Sequence, residues 1–258
     1  MNEGKMNLAL FRVCAIIFIV NELNKLVGSL WLYLMQDVDD GSFSWVYVPI
    51  SLVFIALGVF ALVKKNNLIL KIFAVMIFVS MVVGIVHLVR YSHLYSALGT
   101  GYIVAKGVGY FINHNLVIMV TVFFLKSGKI DLLRFCAAYF LFYGLCSATD
   151  AIAVKSFSVL EIFGCVLPVS VGAYVLVKKN VSVLMLYAVV AVALTLWNTF
   201  QYVEMRFFDT IVIGEGFIGI LFNSFFVVCA ATFFIEPELT RKYFQNAKNA
   251  ILAWKNRT

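Results

Sequence analysis

Glu22 is a carboxylate near the centre of a long apolar run, with Lys25 three residues on, Ser29 seven on, and the amides of Asn21 and Asn24 beside it. On a helix these groups share about one side, which puts the ammonium within reach of the carboxylate. An ionisable group at such depth costs about 2.5–3.5 kcal/mol by insertion scales, so it is expected to face the interior of a bundle. Two roles are open to it: local neutralisation by Lys25, or a station on a proton or solute path. A second polar centre is Asn113-His114-Asn115, midway along another apolar run. An imidazole between two amides can relay protons, ligate a metal as the neutral base, or hydrogen-bond a neighbouring helix. Asn223 and Ser224 form a third centre at corresponding depth, and Asn198, with Thr195, Gln201 and Tyr202, lines the run before it. Tyr139, Tyr143, Ser147 and Asp150 supply further polar groups.

Other chemistries find less support. A metal would have to draw on His87, His93 and His114, the only histidines, and His87 and His93 fall on largely opposite faces of a helix. No HxxxH, HExxH or GxSxG spacing accompanies them, so neither a resident cofactor nor enzymatic activity is expected. The glycines at 99, 101, 107 and 109 fit no phosphate-binding loop. The three aspartates at 37, 39 and 40 lack the spacing of a calcium loop and read as a solvated acidic turn. Cys14, Cys136, Cys146, Cys165 and Cys229 all fall in apolar runs and are expected as free, buried packing residues.

The elements that must position these groups are membrane helices. Of 258 residues, 63% are hydrophobic and 13% charged, and the mean hydropathy of +0.99 lies far above that of water-soluble domains. Apolar stretches of bilayer length fall at residues 8–34, 43–63, 68–91, 102–125, 131–152, 157–177, 182–205 and 214–235. Eight spans joined by short connections leave no room for a separate soluble domain. Lys5, Arg12, Lys64, Lys65, Lys71, Lys126, Lys129, Arg134, Lys178 and Lys179 then share one side, which the positive-inside rule makes cytoplasmic together with both termini. The net charge of +7 is a basic face toward anionic lipid, not a nucleic-acid surface.

The chain also repeats itself. Residues 42–66, SFSWVYVPISLVFIALGVFALVKKN, align without gaps on residues 156–180, SFSVLEIFGCVLPVSVGAYVLVKKN, with nine identities in 25 positions. Both polar ends are kept, which two unrelated apolar helices would rarely do. Upstream, LFRVCA at 10–15 aligns with LLRFCA at 132–137, so the first run has an internal copy and reads as a retained span rather than a cleaved signal peptide. The spacing falls from 122 to 114 to 109 residues, each step in an outer loop, where insertions are tolerated. The expected architecture is an all-α integral membrane protein with two parallel four-helix repeats. Residues 1–125 and 126–235 form the repeats, related by a pseudo-twofold axis along the membrane normal. In this alignment Arg90 meets Glu204 and Lys106 meets Glu215, opposite charges near the outer face that are candidates for a gate or a lock.

Residues 236–258 begin with Glu-Pro-Glu and carry Phe244, Ala247, Ile251 and Trp254 at helical spacing among Arg241, Lys242, Lys248, Lys255 and Arg257. They are expected to form an amphipathic helix on the cytoplasmic membrane surface. The leading functional expectation is transport of a small solute or ion between the repeats, past Glu22, His114, Asn115, Asn223 and Ser224. The alternatives are a non-transporting scaffold, immunity or defence partner, and an intramembrane enzyme or cofactor carrier. Expected partners are the bilayer, anionic lipid, and a second copy or another membrane protein.

Overall fold

Long apolar runs without strand-like alternation, punctuated by Asn, Asp and Lys, fold as helices. The computed structural model describes residues 7–35, 47–90, 92, 100–112, 114–154, 159–205 and 224–255. Among them are ten helices and no strand: α1 (Leu8–Met35), α2 (Tyr47–Lys64), α3 (Asn67–Arg90), α4 (Thr100–Phe111), α5 (Asn115–Phe124), α6 (Leu132–Val154), α7 (Val159–Lys178), α8 (Val181–Met205), α9 (Ser224–Thr232) and α10 (Pro237–Lys255). The described chain is all-α.

Two of these helices, α3 and residues 132–153 of α6, are long and apolar enough to cross a membrane. At 1.5 Å per residue, α3 extends about 36 Å against a hydrocarbon core of about 30 Å. Its outward residues Leu68, Ile72, Phe78, Val83 and Val89 are each more than half exposed. A helix apolar on both its packed and its open faces is stable against lipid rather than water, which points to membrane association.

Helix ends follow from local chemistry. Asn7, Asn66, Asp131 and Asn180 each offer a side-chain oxygen to a backbone N–H in the first turn of the helix that follows. Lys65 and Lys179, after α2 and α7, adopt left-handed backbone at φ 53° and 55°. The Asn66 N–H then reaches the Ala61 carbonyl at 3.0 Å, and the Lys179 N–H the Val175 carbonyl at 2.8 Å, closing carbonyls that a helix end leaves open.

The core gathers at the end of the bundle where these caps lie. Leu10, Cys14 and Ala15 of α1, Cys136 and Ala137 of α6, Leu70 and Ala74 of α3, and Leu184 and Ala188 of α8 are fully buried. Helix α1 lies along α2, where a Cβ on Gly58 would meet Ile19 Cγ1 at 2.7 Å. Helix α6 lies along α7 still more closely, since a Cβ on Gly172 would stand 2.6 Å from the Ala137 carbonyl oxygen and 2.8 Å from Leu141 Cβ. A Cβ on Gly144, about two turns along α6 from Ala137, would likewise stand 2.7 Å from the Cys165 carbonyl oxygen. None of the five cysteines is in a disulfide; Cys14, Cys136 and Cys229 are buried and Cys146 and Cys165 half-buried.

Two features depart from the expected spans. The run 102–125 is two helices, α4 and α5, separated around Ile112 to His114. Asn side chains compete for backbone hydrogen bonds, and after the break Asn115 opens α5 with His114 as its cap residue. Of the run 214–235, the described residues contain only α9 and the turn after it. The tail expected at 236–258 is helical from Pro237 to Lys255 and largely exposed, with Phe244 and Ile251 open on its surface.

Candidate functional site

The break between α4 and α5 sets His114 and Asn115 against α1 and α3. Between them lies a cleft of about 370 Å³ with Phe18 and Phe73 among its walls and Asn21, Glu22, Asn24, Lys25, Ser80, His114 and Asn115 as its polar lining. The Glu22 carboxylate accepts from Lys25 Nζ at 2.7 Å, as the i,i+3 spacing predicts. The pair is lopsided, with side-chain exposures of 17% for Glu22 and 67% for Lys25. Glu22 Oε1 is the atom engaged, which leaves the second carboxylate oxygen to accept from a solute. His114 Nδ1 is buried and has no hydrogen-bond partner among the described residues. A buried imidazole nitrogen in that state has a proton or lone pair to offer an incoming group.

Behind His114 stands Tyr139, whose ring is fully buried and 5.0 Å from the imidazole, edge to face. Its hydroxyl shares a 2.8 Å hydrogen bond with Ser224 Oγ, the first residue of α9. His114, Tyr139 and Ser224 thus form a line from α5 through α6 to α9. Tyr143, one turn along α6, lies 5.8 Å from His114 and 4.7 Å from Phe225.

No protein-family model, curated protein or solved structure matches this chain. The site therefore has to be read from its own residues. On the far side of Tyr143 is a second cleft of about 720 Å³, between α6, α7, α8 and α9. Tyr143 faces it and His114 faces the first, so one layer of aromatic rings separates the two.

The expected site residues divide accordingly. Glu22, Lys25, His114 and Asn115 come together in the first cleft, whereas Ser224 is sealed behind Tyr139. Asn113 and Asn223, and the side chains of Asn198, Glu204 and Glu215, lie outside the described residues. Lys106 Nζ donates to Asp150 Oδ1 at 2.6 Å, tying α4 to α6. The approach is possible because α4 presents Gly109 to α6, with Thr149 Oγ1 2.8 Å from where a Cβ would stand. Arg90 lies in the last turn of α3. Of the three histidines, His87 is in the last turn of α3 and His93 is outside the described residues. Among the described residues no three His, Cys, Asp or Glu side chains gather as a metal site. Sequence reading missed Tyr139 as the divider and Asp150 as the partner of Lys106. The four-residue spacing of Tyr139 and Tyr143 put them on one face of α6, which was the available signal.

Proposed function

We propose that the chain is an eight-span integral membrane protein built from two parallel copies of a four-helix unit, and that it transports a small polar solute or ion past Glu22, His114 and Asn115. The observation that carries the transport reading is the polar cleft itself: a carboxylate, an ammonium, an imidazole and several amides around one open space. A scaffold would have its polar centres packed against one another. The helix break at His114 supports the same reading, because irregular backbone at membrane depth is tolerated where it lines a cavity.

Duplication is supported by paired details. Lys65 and Lys179 share their left-handed backbone, and Asn66 and Asn180 their capping role, each at the 114-residue spacing of the aligned segments (179 − 65 and 180 − 66). Gly58 meets Ile19 as Gly172 meets Leu141, where 172 − 58 is 114 and 141 − 19 is 122. Phe18 stacks on Phe73 at 5.1 Å, and at the same two spacings Phe140 meets Tyr187 at 4.9 Å. The basic caps put the packed core toward the cytoplasm, along with both termini, and leave the clefts above it. In this reading α10 rests on anionic lipid at the inner surface.

The test is flux. Full-length protein in vesicles with a trapped pH dye, and in vesicles challenged with small neutral and zwitterionic solutes followed by light scattering, is expected to raise permeability to at least one of them. Glu22→Gln and His114→Ala are each expected to lower that flux by about tenfold or more, the scale of losing one charged or buried polar contact. Unchanged flux in both variants removes these residues from the pathway. Permeability no greater than that of empty vesicles overturns the transport reading.

A further inference from the structure

The second cleft differs from the first in kind. Its volume of about 720 Å³ falls within the range of drug-sized ligand sites, about 300–1,000 Å³. Tyr143, Tyr187 and Phe225 present aromatic surface to it, and Asp150 is the one charged side chain among the described residues that line it. Lys106, which holds Asp150 Oδ1 at 2.6 Å, reaches the carboxylate from α4 and is not part of the lining. Gly164 and Pro168 also border the space, and Pro168 has no N–H to offer the Gly164 carbonyl one turn back. Carboxylate, carbonyl dipole and aromatic faces all carry negative potential; the rest of the wall is mostly aliphatic, and its Ser147 and Thr195 hydroxyls donate to the Tyr143 and Ala191 carbonyls of their own helices.

We propose that this cleft binds a hydrophobic cation, with Asp150 as its counter-ion and the rings of Tyr143, Tyr187 and Phe225 around its apolar body. A cation over aromatic faces gains from their quadrupoles, and more so where water is excluded. An anion of the same shape would meet Asp150 and the ring faces with the wrong sign. Lys106 is the built-in competitor: an arriving cation takes over the carboxylate that the lysine holds. The proposal does not depend on transport, because it concerns equilibrium binding alone.

Two probes of matched shape and opposite charge test it: tetraphenylphosphonium and tetraphenylborate, each equilibrated by dialysis against the full-length protein in a nonionic detergent. Saturable binding of the phosphonium is expected, with the borate about tenfold or more weaker. Asp150→Asn is expected to weaken phosphonium binding by about tenfold, and Lys106→Met to strengthen it severalfold by freeing the carboxylate. The opposed signs matter, because a pair that only held α4 to α6 would make both variants weaken binding. That result overturns the proposal. So does equal binding of the two probes, which would mark an apolar slot for lipid chains, and so does the absence of saturable phosphonium binding.

Discussion

The two clefts occupy corresponding stretches of the proposed repeats and have been furnished differently. Asn21, Lys25, Phe73, Ile77 and Met81 border the first; Tyr143, Ser147, Tyr187, Ala191 and Thr195, at the aligned positions, border the second. Where the first has Glu22 the second has Gly144, and the glycine lets α7 come within backbone contact of α6. Where the first half has Phe54, its ring 5.9 Å from Phe73, the second has Pro168, which borders the larger cleft. If the halves are copies, as we propose, one backbone plan yields a small charged cleft and a large aromatic one. The lesson is that helix approach and cleft content are set by the same few positions, so changing one changes the other.

The largest effect is expected where backbone blocks the way. Gly172→Val would push a side chain into the Ala137 carbonyl and Leu141, and is expected to cost about 3 kcal/mol or prevent folding. Gly58→Val meets Ile19 Cγ1, a side-chain atom that can shift where a backbone carbonyl cannot, and is expected to cost about 1–2 kcal/mol. Thermal unfolding of both variants in detergent measures the difference. Equal losses would mean that the two helix pairs are equally tight and that the contrast between the halves lies only in the clefts.

Next is Phe54→Ala, which removes the ring from the first half at the place where the second has Pro168. Phe54 is only half-buried, so a loss of about 2 kcal/mol is expected, below the range for a fully buried phenylalanine. Its thermal midpoint, beside that of Leu167→Ala on the half-buried face of α7, tells whether the first half is the more tightly packed beside its cleft. A smaller loss for Phe54 than for Leu167 would break that part of the comparison.

These positions explain what could be read from sequence. Helix existence was legible from apolar run length, and the ends of α2, α3, α7 and α8 from the Lys-Asn turns, because both are local properties of the chain. Glu22 with Lys25 was legible for the same reason, being an i,i+3 pair. The partner of Lys106 was not. The close approach of α4 to α6 at Gly109 delivers it to Asp150, and such an approach depends on tertiary packing. The split of 102–125 into α4 and α5 was likewise hidden, since the apolar run continues through the polar triplet. Tyr139 offered only its type and face; that it stands between His114 and Ser224 follows from three helices meeting.

Ser224→Ala tests the wall between the clefts. It leaves the buried Tyr139 hydroxyl without its 2.8 Å partner, an expected loss of about 1–2 kcal/mol. Adding Tyr139→Phe removes the stranded hydroxyl, so the double variant is expected to be more stable than Ser224→Ala alone. If the two losses simply add, the hydroxyl has another partner and the line from His114 to Ser224 is not continuous.

The smallest effect sharpens the likeness between the halves instead of their difference. Asn66→Ala and Asn180→Ala each remove a side-chain acceptor from a first-turn N–H, at 2.9 Å and 3.2 Å, and each is expected to cost about 1 kcal/mol. Both follow a lysine in left-handed backbone, so the same turn is being weakened on α3 and on α8. Hydrogen exchange of the first-turn amides separates the sites, because each loss is expected to speed exchange in its own turn. Matched losses would mean that the copies still share their basic turns while their clefts have diverged. Unequal losses would mean that one turn is held by packing and the other by its cap, and divergence would then extend from the clefts to the side on which the core is closed.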